Sequence, residues 1–566
     1  MSAPAVAGTA PAGDRDGLVV RVLLVAYALF FLLSLVLPVG MMLWRALGDA
    51  SGQFVGLANF RAYFASPALA GSILNSFSVA GATTAIVVAL AFVYATALTR
   101  SRMPLRAFFA AAAFVPLLMP GLLKAIALVY WFGNQGVLKG LLMGEKIYGP
   151  IGIVAASVLW TFPHAVMILA TAMRLSDARL YESAEALKTG HWRIFRHVTL
   201  PAARYGLISA AIFVFVSVLT DFGIPKVIGG SYHVLATDIY KEVVGQQNFA
   251  MGAVVSVVLL VPALVAFALD RAVARRQVAQ LSARSVPYEP RRRPWFDAAM
   301  FACCAAVTVV TLGVIGMAQY AALVKFWPYN LTLTLAHYQF DVEGVGWDNF
   351  ANSLALASIA ATAGTGLVFV GAWLVEKPRR DHAARQALHL LALAPMAIPG
   401  LVLGLGYLLF VNRPGSPFGF LYGTLVLLAI GTVAHYYTVV HLTAVTALKQ
   451  MDREFESVAA SLKAPAWRMF LRVTVPVCAP ALLDIWLYLF LNAMTTVSAV
   501  IFLYGIHTKL ASIAVIHLDE AGRLASAAAM GMLVVYACVA VRLLHLFVSR
   551  VVLARTQRWR GVTGRA

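Results

Sequence analysis

Charge is what this sequence has least of. Only 12% of its 566 residues are Asp, Glu, Lys or Arg, about half the share of an ordinary soluble protein. That scarcity excludes a solvated globular enzyme and a disordered chain. Cysteine is scarce as well. Cys303, Cys304, Cys478 and Cys538 lie in or beside apolar runs, with no C-x-x-C spacing and no histidine partners. Neither a disulfide framework nor a metal site is indicated. Nucleotide chemistry is missing too: no G-x-x-x-x-G-K-[ST] loop occurs, nor H-E-x-x-H, nor a triad spacing. The chain cannot hydrolyse ATP alone, and no catalytic or metal-binding residue is assigned.

What the sequence holds instead is apolar length. Hydrophobic residues make up 61%, mean hydropathy is +0.82, and there are 42 glycines. A spanning helix needs about 20 apolar residues in one stretch. Runs of that kind fall near 20–44, 72–98, 107–132, 151–172, 204–225, 249–269, 297–320, 351–375, 386–411, 421–444, 479–504 and 524–548. The expectation is an all-α membrane protein of about twelve spans. Residues 1–17, rich in Ala, Pro and Gly and without a basic n-region, read as a disordered tail rather than a cleaved signal.

The net charge of +20 follows the spans. With the N-terminus inside, 32 of the 44 basic residues fall in inside loops, in the stretch 271–296 or in the basic tail 549–566. This bias predicts that both termini are cytoplasmic. No basic run exceeds three residues, so nucleic acid is not the expected partner; membrane lipid is.

The chain repeats itself. LKTGHWRIFRHVTLP at 187–201 recurs as LKAPAWRMFLRVTVP at 462–476, eight identities at an offset of 275. Pro116, Pro120 and Gly121 match Pro395, Pro399 and Gly400 as P-x-x-x-P-G in the third run of each half. Asn75-Ser76 matches Asn352-Ser353, and Asn59-Phe60 resembles Asn349-Phe350. The reading is two transmembrane domains, 18–270 and 297–548, joined by a cytoplasmic linker at 271–296. An even number of spans per half makes the repeats parallel. The paired prolines are expected to kink their helices and shape a central cavity.

The loops at 173–203 and 446–478 each begin with an aspartate, Asp177 or Asp452, able to cap a short helix. Leu180, Ala184 and Leu187 then share one face, as do Phe455, Ala459 and Leu462. Glu185 and Lys188 stand at i, i+3 and are expected to pair. A helix lying on the bilayer surface is the alternative. Two matched copies favour a partner that is itself a pair of similar subunits.

These loops resemble the EAA loops of the permease subunits of ATP-binding-cassette importers, whose pattern is E-A-A, three residues, Gly, and a terminal Leu-Pro. Glu182-Ser183-Ala184 falls on E-A-A, with Lys188 at the glycine. In the second copy Ser457-Val458-Ala459 falls there, with Glu456 as neighbour and Lys463 at the glycine. The resemblance extends over about residues 56–548. It implies the type I importer permease fold, a bacterial inner-membrane location, two ATPase subunits that use ATP and Mg, and a periplasmic or extracellular substrate-binding protein. No cofactor is expected on this chain. It also implies ATPase-coupling roles for Glu182, Ala184, Leu187, Lys188 and Gly190, and for Glu456, Ala459, Leu462 and Lys463. Fused permeases of this kind serve ferric iron, thiamine and 2-aminoethylphosphonate. LTDFGIPKVIGGSYHVLATDIYKEVVGQQ at 219–247 looks most like the last group. The other class of function compatible with two six-span halves is an ion-coupled secondary transporter, which has no reason to keep matched loop helices.

The substrate path is expected between the halves. Asp221, a carboxylate at the outer end of a run, is costly without a partner. Lys226 follows it past Gly223 and Pro225. Thr495 and Thr496 stand at the repeat positions of Thr220 and Asp221, with Asn492 and Ser498 nearby. Such a patch suits a small charged solute, Lys226 attracting a phosphonate and Asp221 an amine, unless Asp221 merely caps locally.

Overall fold

A computed structural model describes residues 12–49, 51–174, 177–280, 288–340, 344–377, 382–452, 454–462 and 464–556. Among these, nine helices are long and apolar enough to cross a membrane, and three bent helix pairs bring the number to twelve when each pair is one span. In chain order the spans are Gly17–Ala46, Pro67–Arg100, Arg106–Leu118 with Gly121–Phe132, Pro150–Arg174, His191–Leu219 and Phe249–Val273. Then follow Pro294–Leu323, Trp347–Glu376, His382–Ala397 with Gly400–Val411, Leu425–Lys449, Ala466–Val477 with Ala479–Thr495, and Leu524–Ala554. We number them spans 1 to 12. Each expected apolar run falls on one of them.

Three boundaries depart from expectation. Residues 1–11 lie outside the described residues, but the first helix already begins at Ala12, so the expected tail 1–17 is too long. The mixed Gly-Asp-Arg-Asp stretch lacks apolar periodicity yet continues the helix that follows it. Spans 5 and 11 begin at His191 and Ala466, well before the apolar runs near 204–225 and 479–504, and run through Pro201 and Pro476. Between spans 7 and 8 the chain forms a short antiparallel hairpin, Val324–Phe326 against Asn330–Leu333, in an otherwise helical protein.

Proline explains the early starts. It lacks an N–H and its ring crowds the carbonyl four residues back. At each of three sites the chain answers with one π-helical turn, Leu32–Val36 before Pro38, Phe195–Thr199 before Pro201 and Phe470–Thr474 before Pro476. The wider turn lets the helix run through the proline.

Spans 3 and 9 do not run through. In each, a 3-10 turn (Val115–Leu118, Ala394–Ala397) leads to an extended proline, Pro120 or Pro399, and a new helix starts at Gly121 or Gly400. Two prolines within five residues remove two ladder donors, and the axis turns by 101° in span 3 and 108° in span 9. The second arms, Gly121–Phe132 and Gly400–Val411, are almost wholly buried.

The halves exchange their first helices. Span 1 packs on the second arm of span 9, and span 7 packs on the second arm of span 3. The Tyr407 hydroxyl donates to the Ser34 carbonyl at 2.6 Å, the carbonyl that Pro38 leaves without its ladder donor. Tyr27 donates to the Leu367 carbonyl. Gly406 lies so close that a Cβ there would stand 2.7 Å from the Pro38 carbonyl oxygen. On the other side Trp131 donates to the Gly313 carbonyl at 3.2 Å, and the rings of Phe109 and Phe301 meet edge to face with centroids 5.4 Å apart.

Candidate functional site

Two places on opposite faces of the helical slab draw attention. The first is the pair of matched loops. Their helices are Ala178–Ala186 and Glu454–Ser461. Asp177 accepts the backbone N–H of Arg179 at 3.1 Å, and Asp452 that of Glu454 at 3.0 Å. Both helices close alike. Thr189 N–H reaches the Ala184 carbonyl at 3.0 Å, and Ala464 N–H the Ala459 carbonyl at 2.9 Å. With the Lys188 N–H on the Glu185 carbonyl (2.9 Å), the first is a Schellman close, which calls for a left-handed residue after the helix. Lys188 is that residue, at φ +50°, in the place where the importer pattern has glycine. Gly190 starts the next helix. Lys463 and the side chain of Glu456 lie outside the described residues.

The leucines of the expected apolar stripe face outward, while Phe455 packs partly against the core. Leu187 is 79% exposed and Leu462 74%, with Leu180 and Val458 also exposed. The buried face of the first loop helix is instead Ala178 and Tyr181. Glu182 is exposed. Both loops hang from span 2 or its repeat: Phe195 meets Phe92 at 6.0 Å between centroids, and Phe470 meets Phe369 at 5.7 Å. Glu185 does not pair with Lys188. The left-handed turn carries Lys188 off the helix face, and Glu185 binds Arg291 (2.6 Å) and Arg293 (3.3 Å).

The second place lies where the halves meet on the face away from the loops. After spans 5 and 11 the chain turns back as short helices, Gly223–Ile228 and Leu235–Tyr240 in one half and Ala511–Glu520 in the other. The repeated Asn-Ser pair on span 2 or span 8 anchors each. The Ser76 hydroxyl accepts the Leu235 N–H and the Ser353 hydroxyl the Ala511 N–H, both at 2.8 Å. Asn75 donates to the His233 carbonyl at 3.0 Å, and Asn352 to the His507 carbonyl at 2.8 Å.

Asp221 accepts the Ile224 N–H at 3.0 Å and so opens the helix Gly223–Ile228. Lys226 reaches across the halves to Glu520 at 2.8 Å and lies over the Tyr240 ring at 4.9 Å. Tyr240 in turn stacks near Phe502 of the second half, with centroids 6.5 Å apart. The other expected path residues are turned elsewhere. Asn492 donates to the Tyr488 carbonyl at 2.8 Å and Thr495 to Leu491 at 3.1 Å, both on their own helix. The Thr496 carbonyl accepts the Ser512 hydroxyl at 2.6 Å. Ser498 packs against Gly400 at the break of span 9. A cleft of about 390 Å³ opens on the same face, lined by Asn134, Lys146, Tyr148, Ser231 and Tyr232 among others.

Two residues were missed from sequence. Glu520 gave no local signal, since only the fold brings it to Lys226. Lys124 did: it stands in the middle of the third apolar run, where a charge marks a functional site by default. It is 1% exposed and donates to the Met119 carbonyl at 2.7 Å. Its repeat position, counted from Pro120 and Pro399, is Leu403.

Comparison with known proteins now bears on these features. Residues 88–278 match the family model for the binding-protein-dependent transport system inner membrane component. The chain is 30% identical over 164 residues to the molybdenum transport system permease protein ModB of Azotobacter vinelandii, covering 28% of this chain and 73% of that one. This chain belongs to that permease family. The permease is also 27% identical over 473 residues to the ferric transport system permease protein FbpB of Actinobacillus pleuropneumoniae, covering 80% of this chain and 68% of FbpB. It is 28% identical over 204 residues to ModB of Mycobacterium bovis, over 36% and 77% of the two chains. The permease is therefore a multi-pass inner-membrane transport subunit and not an enzyme. Its partners, by family, are an ATPase and a substrate-binding protein.

Proposed function

We propose that this permease carries a small charged solute such as 2-aminoethylphosphonate inward, with the loops 173–203 and 446–478 as the two seats for a pair of ATPase subunits. The observation that carries the reading is the matched pair of loop helices, capped and closed alike, that hold Leu187 and Leu462 out of the protein. An exposed apolar stripe on a short helix is what a groove on a partner receives. On this reading Glu182, Ala184, Leu187, Lys188, Gly190, Ala459 and Leu462 serve the two seats, and Glu456 and Lys463 join them by the resemblance of the loops alone. One chain, divided as 18–270 and 297–548 and with both termini cytoplasmic, completes one pore. ATP and Mg act on the ATPase, and no cofactor resides on this chain. ATP binding must favour the outward-open state by about 5.5 kcal/mol to invert a 1:99 equilibrium.

On the opposite face Lys226 is held by Glu520 across the seam of the two halves. An anionic group released there competes with Glu520 for the lysine, which supports a phosphonate. Asp221 and the buried Lys124 add a carboxyl group and an amine in the same half. A ferric iron permease is the second reading, favoured by the likeness to FbpB over 80% of this chain.

The test has two arms. Pull-down of the tagged permease is expected to bring down an ATPase subunit, and Glu182→Lys to reduce that yield at least tenfold. Unchanged recovery with Glu182→Lys would sink the seat assignment. Thermal-shift titration of the cognate binding protein with 2-aminoethylphosphonate, ferric iron and thiamine decides the solute. A shift with iron and none with the phosphonate overturns the preferred substrate.

A further inference from the structure

The linker between the halves does more than join them. From Tyr288 onward it lies against the first loop helix. Each carboxylate oxygen of Glu185 takes one arginine of the linker: Oε2 meets Arg291 at 2.6 Å and Oε1 meets Arg293 at 3.3 Å. The Tyr288 ring stands 4.6 Å from that of Tyr181, a buried residue of the same loop helix. The Arg100 guanidinium, at the end of span 2, lies over both rings, at 4.7 Å from Tyr181 and 4.4 Å from Tyr288. Three separate segments thus meet in one cluster.

The cluster continues directly into span 7. Asp297, buried in the first turn of that helix, accepts the backbone N–H of Arg293 at 3.0 Å and that of Arg102 at 2.9 Å. Contacts thus run from Glu185 through Arg291 and Arg293 to the start of span 7. Span 7 then packs on the first half through Phe301 and Gly313.

Among the described residues the second loop shows no such arrangement. Glu456 and Ala460 stand at the repeat positions of Tyr181 and Glu185. In the first loop Tyr181 donates to the Thr199 hydroxyl at 3.2 Å; its counterpart, the buried Thr474 hydroxyl, has no hydrogen-bond partner among the described residues. Both copies keep the loop helix and its close, and among the described residues the clasp is seen in the first.

We infer that Glu185 is a positioning residue that ties the first loop helix to the linker, so that displacement of this helix is passed through Arg291 and Arg293 to span 7. The second half then receives two inputs, one through its own loop and one through this strap. The inference rests on the proposed role of the loops as ATPase seats.

The experiment is hydrogen–deuterium exchange on the full permease with its ATPase in lipid nanodiscs, with and without trapping by ATP and vanadate. In the wild type, trapping is expected to change exchange at 178–186 and at 294–302. In Glu185→Gln, and equally in Arg291→Gln with Arg293→Gln, the change at 178–186 persists while that at 294–302 falls at least fivefold. Combining the variants adds nothing, and the exchanged set Glu185→Arg, Arg291→Glu, Arg293→Glu recovers most of the response. A response at 294–302 that survives Glu185→Gln overturns the strap. If 178–186 never responds to trapping in the wild type, the seat assignment fails instead. The strap is then read without nucleotide: Glu185→Gln must raise exchange at 288–293 about tenfold, and an unchanged rate there refutes it.

Discussion

Tyr407→Phe is the substitution that asks most of the exchanged first helix. Tyr407 is 2% exposed, and its hydroxyl donates at 2.6 Å to the Ser34 carbonyl of span 1. That carbonyl sits four residues before Pro38, which has no N–H to offer it. Phenylalanine fills nearly the same space, so the change removes the donor and little else. A buried carbonyl deprived of its partner costs about 1–3 kcal/mol. In a Pro38→Ala background the new alanine N–H can serve Ser34, and the cost of Tyr407→Phe should fall to about 0.5 kcal/mol. The coupling energy of the cycle is then roughly 0.5–2.5 kcal/mol, within the range for residues in direct contact. The four proteins would be unfolded in lipid nanodiscs and followed by tryptophan fluorescence. Equal costs of Tyr407→Phe in both backgrounds, to within about 0.5 kcal/mol, would show that the hydroxyl is not answering the proline, and the argument for the seating of span 1 would fail.

Gly406→Ala drives a Cβ toward the Pro38 backbone and should destabilise by about 1–3 kcal/mol, whereas Gly366→Ala on span 8 meets nothing within 4 Å and should stabilise by about 0.5–1 kcal/mol; thermal melts that rank them the other way contradict the packing. Ser76→Ala and Ser353→Ala each strip the acceptor from a buried helix-starting N–H, at about 1–3 kcal/mol apiece, and the two losses should add because the sites lie in different halves. Lys188→Gly relieves a left-handed side chain and should slow amide exchange in 178–186, while Lys188→Val, β-branched at positive φ, should speed it; the same direction for both would discredit the Schellman close.

Much of this could be read in the sequence, for reasons that differ by element. The spans were legible because length and hydropathy are local properties. The repeat was legible because LK and WR, the prolines and Asn-Ser recur at nearly one offset, and structure now gives the Asn-Ser pair its task. The exchange of spans 1 and 7 was not legible, since an apolar helix does not state which neighbour it covers. Nor were the π turns, which arise from a contest between proline and a helix that tertiary packing decides. Glu185 was misread for a related reason. Spacing of three puts Lys188 beside it on an ideal helix, but the helix has already ended, and the winning partners lie 106 and 108 residues away. Lys226–Glu520 is likewise a contact between residues far apart in the chain. The polar residues Asn492 and Thr495 advertise a path in sequence but spend their hydrogen bonds on their own helix.

The seating of span 1 on Gly406 and Tyr407 also sets a schedule for synthesis. Pro38 leaves the ribosome 368 positions before Gly406, counting 406 − 38. At about 5–20 residues per second, that is an interval of roughly 20–70 s. Through it the first helix stands in the bilayer with the Ser34 carbonyl lacking Tyr407 and the groove of Pro38 unfilled. A nascent chain of this design needs a temporary companion for its first helix, supplied by the insertion machinery or by lipid. Until span 9 arrives, the wait is the period in which newly made permease is open to pairing with the wrong copy.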